Sequence, residues 1–157
     1  MGIKDSLRKN LIYLLPGLTA AAVDQILKHR AEKHPEEFKE VVLNRGFAGG
    51  RLSERRETVR NTSVFTNCLG FILLPLMDDS TLSGKIKKAG WAFMTGAALS
   101  NTLDRVIRGY VVDFIPRGKY VYNISDFAIG TGTAAFLSGE LMNYLTGEES
   151  PDKRRMS

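Results

Sequence analysis

The chain has 157 residues and a formal net charge of +5, from 22 Lys and Arg against 17 Asp and Glu, which favours one mildly basic domain with a sizeable core. Its one cysteine and two histidines exclude a disulfide framework and a cysteine-rich zinc module, and they leave little material for a histidine-based metal site. The basic residues form no concentrated block, so nucleic-acid binding is not indicated.

Charged residues are almost absent from four stretches of the chain, residues 11–23, 61–77, 89–103 and 127–139. These stretches predict four helices, at about 11–29, 60–77, 87–108 and 123–145. Each stretch is shorter than the about 18 apolar residues that identify a membrane-spanning helix, and each is diluted by Thr, Ser, Asn or Gly. Hydropathy alone therefore favours equally a four-helix membrane protein and a soluble four-helix bundle.

The connections between these helices differ in length and charge. Residues 30–59 are long and highly charged, residues 78–88 form a short loop, and residues 108–121 include a brief extended piece. Residues 148–157 form a polar tail, so we expect one domain over residues 1–147. If all four helices span a membrane, the positive-inside rule favours cytoplasmic termini, because Lys and Arg concentrate in the segments on that side.

Several polar side chains stand inside or at the edges of the apolar stretches, where ionisable groups are costly and are usually paired or functional. They are Asp24, Lys28, Asn101, Asp104, Arg105, Asp113, Asn123 and Asp126. Some have a purely structural alternative. Asp24 and Lys28 are spaced as an i,i+4 ion pair, and Asn123 could cap a helix that has Asp126 in its first turn.

Asp113 is harder to explain as a structural residue, because it lies between two pairs of apolar residues and has no local partner. Asp104, by contrast, can form a salt bridge with Arg105. If the fold brings Asp113 beside Asp126, the two carboxylates would share one proton. Such a pair activates water and protonates a leaving amine, which is the chemistry of aspartic proteases.

These residues stand in four strings that resemble the motifs of lipoprotein signal peptidase (signal peptidase II). The strings are residues 24–28 (DQILK), 44–49 (NRGFAG), 96–115 (GAALSNTLDRVIRGYVVDFI) and 122–129 (YNISDFAI). They occur in the order of the family and cover most of residues 11–145. Ser100 and Ser125 replace small residues of the family pattern, and we expect both changes to be tolerated.

The resemblance implies a mainly α fold of four transmembrane-type helices, with a small β-cradle in the extracytoplasmic segment between helices 1 and 2. It implies an aspartyl endopeptidase of the bacterial inner membrane that uses no metal or organic cofactor. The catalytic residues would be Asp113 and Asp126. The substrate pocket would include Asn44, Asn101, Arg105 and Asn123, and the supporting residues would be Asp24, Lys28, Gly46 and Asp104.

The implied substrate is a prolipoprotein, cut just before a cysteine that carries a diacylglyceryl group. Membrane lipid and inhibitors of the globomycin type are the other implied partners, and Asp104 would orient Arg105.

Two other interpretations stay open on the sequence. A non-catalytic or solubility-altered member of the same fold would bind a lipid or peptide in the same groove, and a soluble four-helix bundle would carry the acids incidentally. The enzyme is favoured because a pure scaffold has no need for Asp113 within an apolar string.

Overall fold

The computed structural model describes residues 3–46 and 54–147. Four helices dominate it: α1 (Ile3–Lys33), α2 (Arg56–Leu73), α3 (Leu82–Ile107) and α4 (Ile124–Thr146). The predicted mainly α, four-helix fold class is confirmed. Part of the second family-like string (residues 47–49) and the predicted polar tail (residues 148–157) lie outside the described residues.

The helices begin earlier than the uncharged stretches predict. Helix α1 begins at Ile3 rather than near residue 11, and α3 begins at Leu82, where the Thr81 side chain caps it by accepting a hydrogen bond from the Gly84 amide. Lys and Arg are good helix formers, so a stretch without charged residues marks the apolar part of a helix and not its ends. Helix α2 ends at Leu73 and continues as a 3₁₀ turn through Leu76, because Pro75 cannot extend the α-helical hydrogen bonding.

Four short strands lie at the end of the bundle where α3 ends and α4 begins. They are β1 (Val42–Asn44), β2 (Val111–Asp113), β3 (Ile115–Arg117) and β4 (Tyr120–Tyr122). Strands β3 and β4 form an antiparallel hairpin, and β1 pairs with β2 in antiparallel register, with Val42 opposite Asp113. Within its described residues, 30–46 and 54–59, the predicted β-cradle segment thus supplies one strand, β1. Its partner comes from the α3–α4 connection, because a strand needs a neighbour to satisfy its backbone hydrogen bonds.

Helix α3 packs against the other three helices through small residues. A Cβ added to Gly17 of α1 would lie 2.5 Å from the Phe93 carbonyl oxygen, and one added to Gly132 of α4 would lie 2.7 Å from the Gly90 carbonyl oxygen. At Gly70 of α2 an added Cβ would meet the Thr95 side chain at 2.8 Å. Close approach through small side chains is the way in which transmembrane helices associate, since lipid offers no hydrophobic drive between them.

The outer faces of the helices expose many large apolar side chains, among them Leu11, Ile26, Phe65, Leu137 and Leu141. Several hydroxyl groups at exposed helix positions are satisfied within their own helix. The hydroxyls of Thr19, Thr66, Thr131, Thr133 and Ser138 each donate to the carbonyl oxygen four residues earlier. A hydroxyl bonded in this way has met its need for an acceptor without water.

Among the described residues, the segment Asp5–Lys33 is the one that is both long and apolar enough by composition to cross a membrane. Helices α3 and α4, with 26 and 23 residues, reach the necessary length of about 30 Å at 1.5 Å per residue, although they contain no equally apolar continuous segment.

Candidate active site

Asp113 and Asp126 line a single cavity of about 640 Å³ at the strand-bearing end of the bundle. Asp113 is the last residue of β2, and Asp126 lies in the first turn of α4. Helix α2 contributes Ser63, Thr66 and Asn67 to the cavity wall, and the remaining lining comes mainly from α3 and the β3–β4 hairpin. The fold therefore brings together the two carboxylates that the sequence analysis selected, 13 positions apart.

Both oxygens of the Asp113 carboxylate accept hydrogen bonds from asparagine amides. Asn44, on the neighbouring strand β1, donates from Nδ2 to Asp113 Oδ2 at 3.0 Å. Asn123 donates from Nδ2 to Asp113 Oδ1 at 2.6 Å, and its side chain is fully buried. Two charge-assisted hydrogen bonds of this kind fix the plane of the carboxylate.

Asp126 is held by two donors in a similar way. Asn123 and Asp126 form a capping box: the Asp126 amide donates to Asn123 Oδ1 at 3.0 Å, and the Asn123 amide donates to Asp126 Oδ2 at 3.2 Å. Asn101 of α3 donates from Nδ2 to Asp126 Oδ1 at 2.9 Å. The structural alternative for Asn123 and Asp126 is thus confirmed, and the Asn123 side chain in addition donates to Asp113.

Burial raises the pKa of Asp113 from 3.8 to about 6. The hydrogen bonds from Asn44 and Asn123 oppose this shift because they favour the ionised form, and the nearby negative charge of Asp126 adds to it. Asp113 therefore keeps a proton more easily than an exposed aspartate does.

This raised pKa predicts a pH dependence of stability. Because folded Asp113 binds its proton more tightly than unfolded Asp113, its contribution is fully present below about pH 4 and is lost as the pH rises through about 6. The loss amounts to about 3 kcal/mol for a shift of about two pKa units. We expect the melting temperature of Asp113→Asn minus that of the parent to increase between pH 4 and pH 7. Thermal unfolding in detergent measures this difference. A constant difference across this range would contradict it.

Arg105 and Gly46 close one side of the site. The Arg105 guanidinium donates to the carbonyl oxygens of Asn101, at 3.3 Å, and Gly46, at 3.2 Å. The Gly46 amide in turn donates to Asn44 Oδ1 at 3.0 Å. Gly46 therefore links the cavity arginine to one of the amides that hold Asp113.

Behind the cavity, three of the four predicted supporting residues, Asp24, Lys28 and Asp104, form a fully buried charged cluster. The Lys28 ammonium lies 2.8 Å from Asp24 Oδ2 and 2.9 Å from Asp104 Oδ2, so the predicted i,i+4 pair exists and includes a second acid. Asp104, which the resemblance assigned to orienting Arg105, also pairs with Arg108. Positions i and i+4 share a helix face, whereas the adjacent Arg105 points toward the cavity.

Two serines of this cluster were underestimated by the sequence analysis. Ser100 and Ser125 donate to Asp24 Oδ2 at 2.6 and 2.8 Å, and the Ile124 amide donates to Asp24 Oδ1 at 2.8 Å. Asp24 of α1 therefore caps the start of α4 and binds it to α3. The signal available in the sequence was that both serines directly precede a predicted site residue.

Among residues 3–46 and 54–147, no cluster of three His, Cys, Asp or Glu side chains is arranged to hold a metal ion. The polar atoms around the two carboxylates are amides, an arginine and hydroxyls, which suit a peptide substrate and a water molecule.

The four-helix fold of this chain is known from a solved structure. This chain superimposes on a bacterial membrane enzyme solved by the in meso method with a TM-score of 0.73 and 19% sequence identity, covering 88% of this chain and 93% of that one. The likeness defines the class: a helical fold of membrane-enzyme type.

The family follows from the sequence comparisons. The family model described as signal peptidase (SPase) II matches residues 17–142. Lipoprotein signal peptidase of Caldicellulosiruptor bescii is 30% identical over 133 residues, covering 78% of this chain and 85% of that protein. That of Francisella tularensis subsp. novicida is 28% identical over 152 residues, covering 86% and 94%. The chain belongs to the signal peptidase II family, and the resemblance stated from its motifs is confirmed. It is a protease of the lipoprotein-processing, membrane-associated kind.

Proposed function

We propose that this protein is an aspartyl endopeptidase that removes signal peptides from prolipoproteins by cutting before a diacylglyceryl-modified cysteine. The observation that carries the proposal is the one cavity that Asp113 and Asp126 both line, each with both carboxylate oxygens held by amide donors. A protease that uses a water molecule as nucleophile needs two such carboxyl groups in different protonation states.

In the proposed reaction the pair shares one proton, which we place on Asp113 because burial raises its pKa to about 6. The Asp126 carboxylate removes a proton from water, and the hydroxyl attacks the scissile carbonyl carbon while Asp113 protonates the carbonyl oxygen. Asp126 then gives its proton to the amide nitrogen and Asp113 recovers its own from the tetrahedral intermediate. The C–N bond breaks, and the pair returns to its starting charge.

The remaining polar groups divide into two roles. Asn44, Asn101 and Asn123 hold the carboxylates through Nδ2, and Asn44 and Asn101 also line the cavity within reach of a peptide. Arg105 lies in the cavity wall, where its guanidinium can donate to carbonyl oxygens of the bound signal peptide.

The diacylglyceryl group has a matching environment. Trp91, Met94, Ala98 and Ile129 extend the cavity wall along α3 and α4 away from the carboxylates. Apolar lining of this kind suits acyl chains, and it faces the same lipid layer as the exposed apolar side chains of the helices. We accordingly propose an inner-membrane protein with both termini cytoplasmic and the carboxylates at the outer surface.

The proposal is tested with two substrates that differ only in the lipid. A diacylglyceryl-modified prolipoprotein and the same chain with an unmodified cysteine are incubated with the protein in lipid-containing micelles, and the products are identified by mass spectrometry. We expect cleavage before the modified cysteine and at least about a hundredfold lower kcat/KM for the unmodified chain, because the acyl chains contribute binding energy in the transition state. Absence of cleavage by folded protein would favour a non-catalytic binding protein, and equal rates would contradict recognition of the lipid.

A further inference from the structure

The side-chain amides of the three asparagines around the carboxylates each have one orientation, because the Oδ1 atom of each accepts a hydrogen bond and so cannot exchange places with Nδ2. Asn44 Oδ1 accepts from the Gly46 amide, and Asn123 Oδ1 accepts from the Asp126 amide, both at 3.0 Å. These two amides are oriented by the backbone of their own turns. Asn101 differs from them, because the donor on its oxygen is a side chain from another helix.

That donor is the ammonium of Lys28, which lies 2.6 Å from Asn101 Oδ1. Lys28 is fully buried, and its other partners are the carboxylates of Asp24 and Asp104 and the Ser100 hydroxyl, at 3.2 Å. An ammonium can only donate hydrogen bonds, so the atom of Asn101 that faces it must be the oxygen. The Asn101 NH₂ group is thereby aimed at Asp126 Oδ1, at 2.9 Å.

We propose that Lys28 is a positioning residue for peptide cleavage: through Asn101 it presents an N–H donor to Asp126 and so keeps Asp126 as the deprotonated member of the pair. The inference rests on the proposed function and deepens it. Without Lys28 the Asn101 amide is free to reverse and to turn its oxygen toward Asp126 Oδ1. Two acceptors would then face each other, which favours a proton on Asp126 and removes the base that activates water.

The test is a double-mutant cycle between Lys28 and Asn101. Removing Lys28 alone leaves two buried acids without their cation, so the cycle is built on an Asp104→Asn background, in which one anion is removed together with the cation and the net charge of the cluster equals that of the parent. Thermal unfolding of each variant verifies that it is folded. On that background we expect Lys28→Met to lower kcat by about a hundredfold with KM changed by less than about threefold. When Asn101→Ala is also present, we expect Lys28→Met to lower kcat by less than about threefold, because the group through which it acts is gone.

Lys88→Met is the matched control. Lys88 is also a buried lysine of this bundle, but it donates to the Met77 carbonyl oxygen and pairs with Asp79 at the opposite end. We expect it to lower the melting temperature without a change in kcat. Equal losses of kcat from Lys28→Met with and without Asn101 would overturn the proposal. If the unsubstituted protein does not cleave the lipidated substrate, the proposed function fails instead.

A second measurement is independent of turnover. In protein labelled with ¹⁵N-asparagine, the side-chain NH₂ signal of Asn101 reports its hydrogen bond to Asp126 and is assigned by its loss in Asn101→Ala. We expect this signal to shift in Lys28→Met on the Asp104→Asn background, and to stay in place in Lys88→Met. An Asn101 signal that does not respond to Lys28→Met would overturn the positioning role.

Discussion

Replacing either Asp113 or Asp126 by asparagine is expected to lower kcat for cleavage of a lipidated prolipoprotein by at least about a thousandfold. In each variant one carboxyl group remains, and it cannot serve both as the base toward water and as the acid toward the carbonyl oxygen. Loss of a general base or acid typically removes about 10²–10⁴ in rate, and here both roles depend on the shared proton.

The fold should survive these two changes, because asparagine has nearly the same shape as aspartate. The control is Asp78→Asn, an exposed carboxylate in the loop between α2 and α3 at the opposite end of the bundle, for which we expect unchanged kcat. Thermal unfolding of all three variants in detergent verifies that they are folded. Activity within tenfold of the parent for Asp113→Asn or Asp126→Asn would remove that residue from the catalytic pair.

Gly132→Ala is expected to destabilise the protein by about 2–3 kcal/mol, the range that overpacking of a close contact produces. An added Cβ at Gly132 would lie 2.7 Å from the Gly90 carbonyl oxygen and 2.7 Å from the Met94 amide nitrogen, so the backbones of α3 and α4 would have to separate. Since α4 carries Asn123 and Asp126, the same displacement should also lower activity.

Gly130→Ala provides a control two residues earlier on the same helix, where an added Cβ meets nothing within 4 Å. There we expect unchanged or slightly greater stability, by up to about 1 kcal/mol, because alanine is the better helix former. Chemical or thermal unfolding in detergent measures both variants side by side. Similar stabilities for Gly132→Ala and Gly130→Ala would show that α3 and α4 are not held by this close contact.

The sequence motifs predicted the fold class and the residues that meet at the cavity, because family-like strings place Asp113 and Asp126 at fixed points of a four-helix order. They did not predict how those residues are held. The role of Asn101, for example, depends on which end of its amide faces Lys28, and that is decided by a contact between residues 73 positions apart. Spacing along the chain carries no information about such a contact.

Contacts between residues far apart in the chain could not be predicted from neighbouring residues. Asp104 pairs with Lys28 of α1 as well as with Arg108 one helical turn later, and strand β1 finds its partner in β2, beyond two further helices. The start of α3 was predicted too late because Lys85 and Lys88, which precede the uncharged stretch of residues 89–103, are part of the helix.

The hydrogen bonds of Asp24 have a consequence for the biogenesis of the enzyme. Its carboxylate joins the first helix to the amide of Ile124, 100 positions later, and to the hydroxyl of Ser125. A growing chain that has inserted only the first three helices therefore lacks Asp126. It also lacks α4, whose first turn holds Asn123 in the position from which it donates to Asp113. On the proposed function, such a chain is proteolytically inert throughout its synthesis, and the membrane acquires a working peptidase only when the fourth helix docks and the first helix caps it.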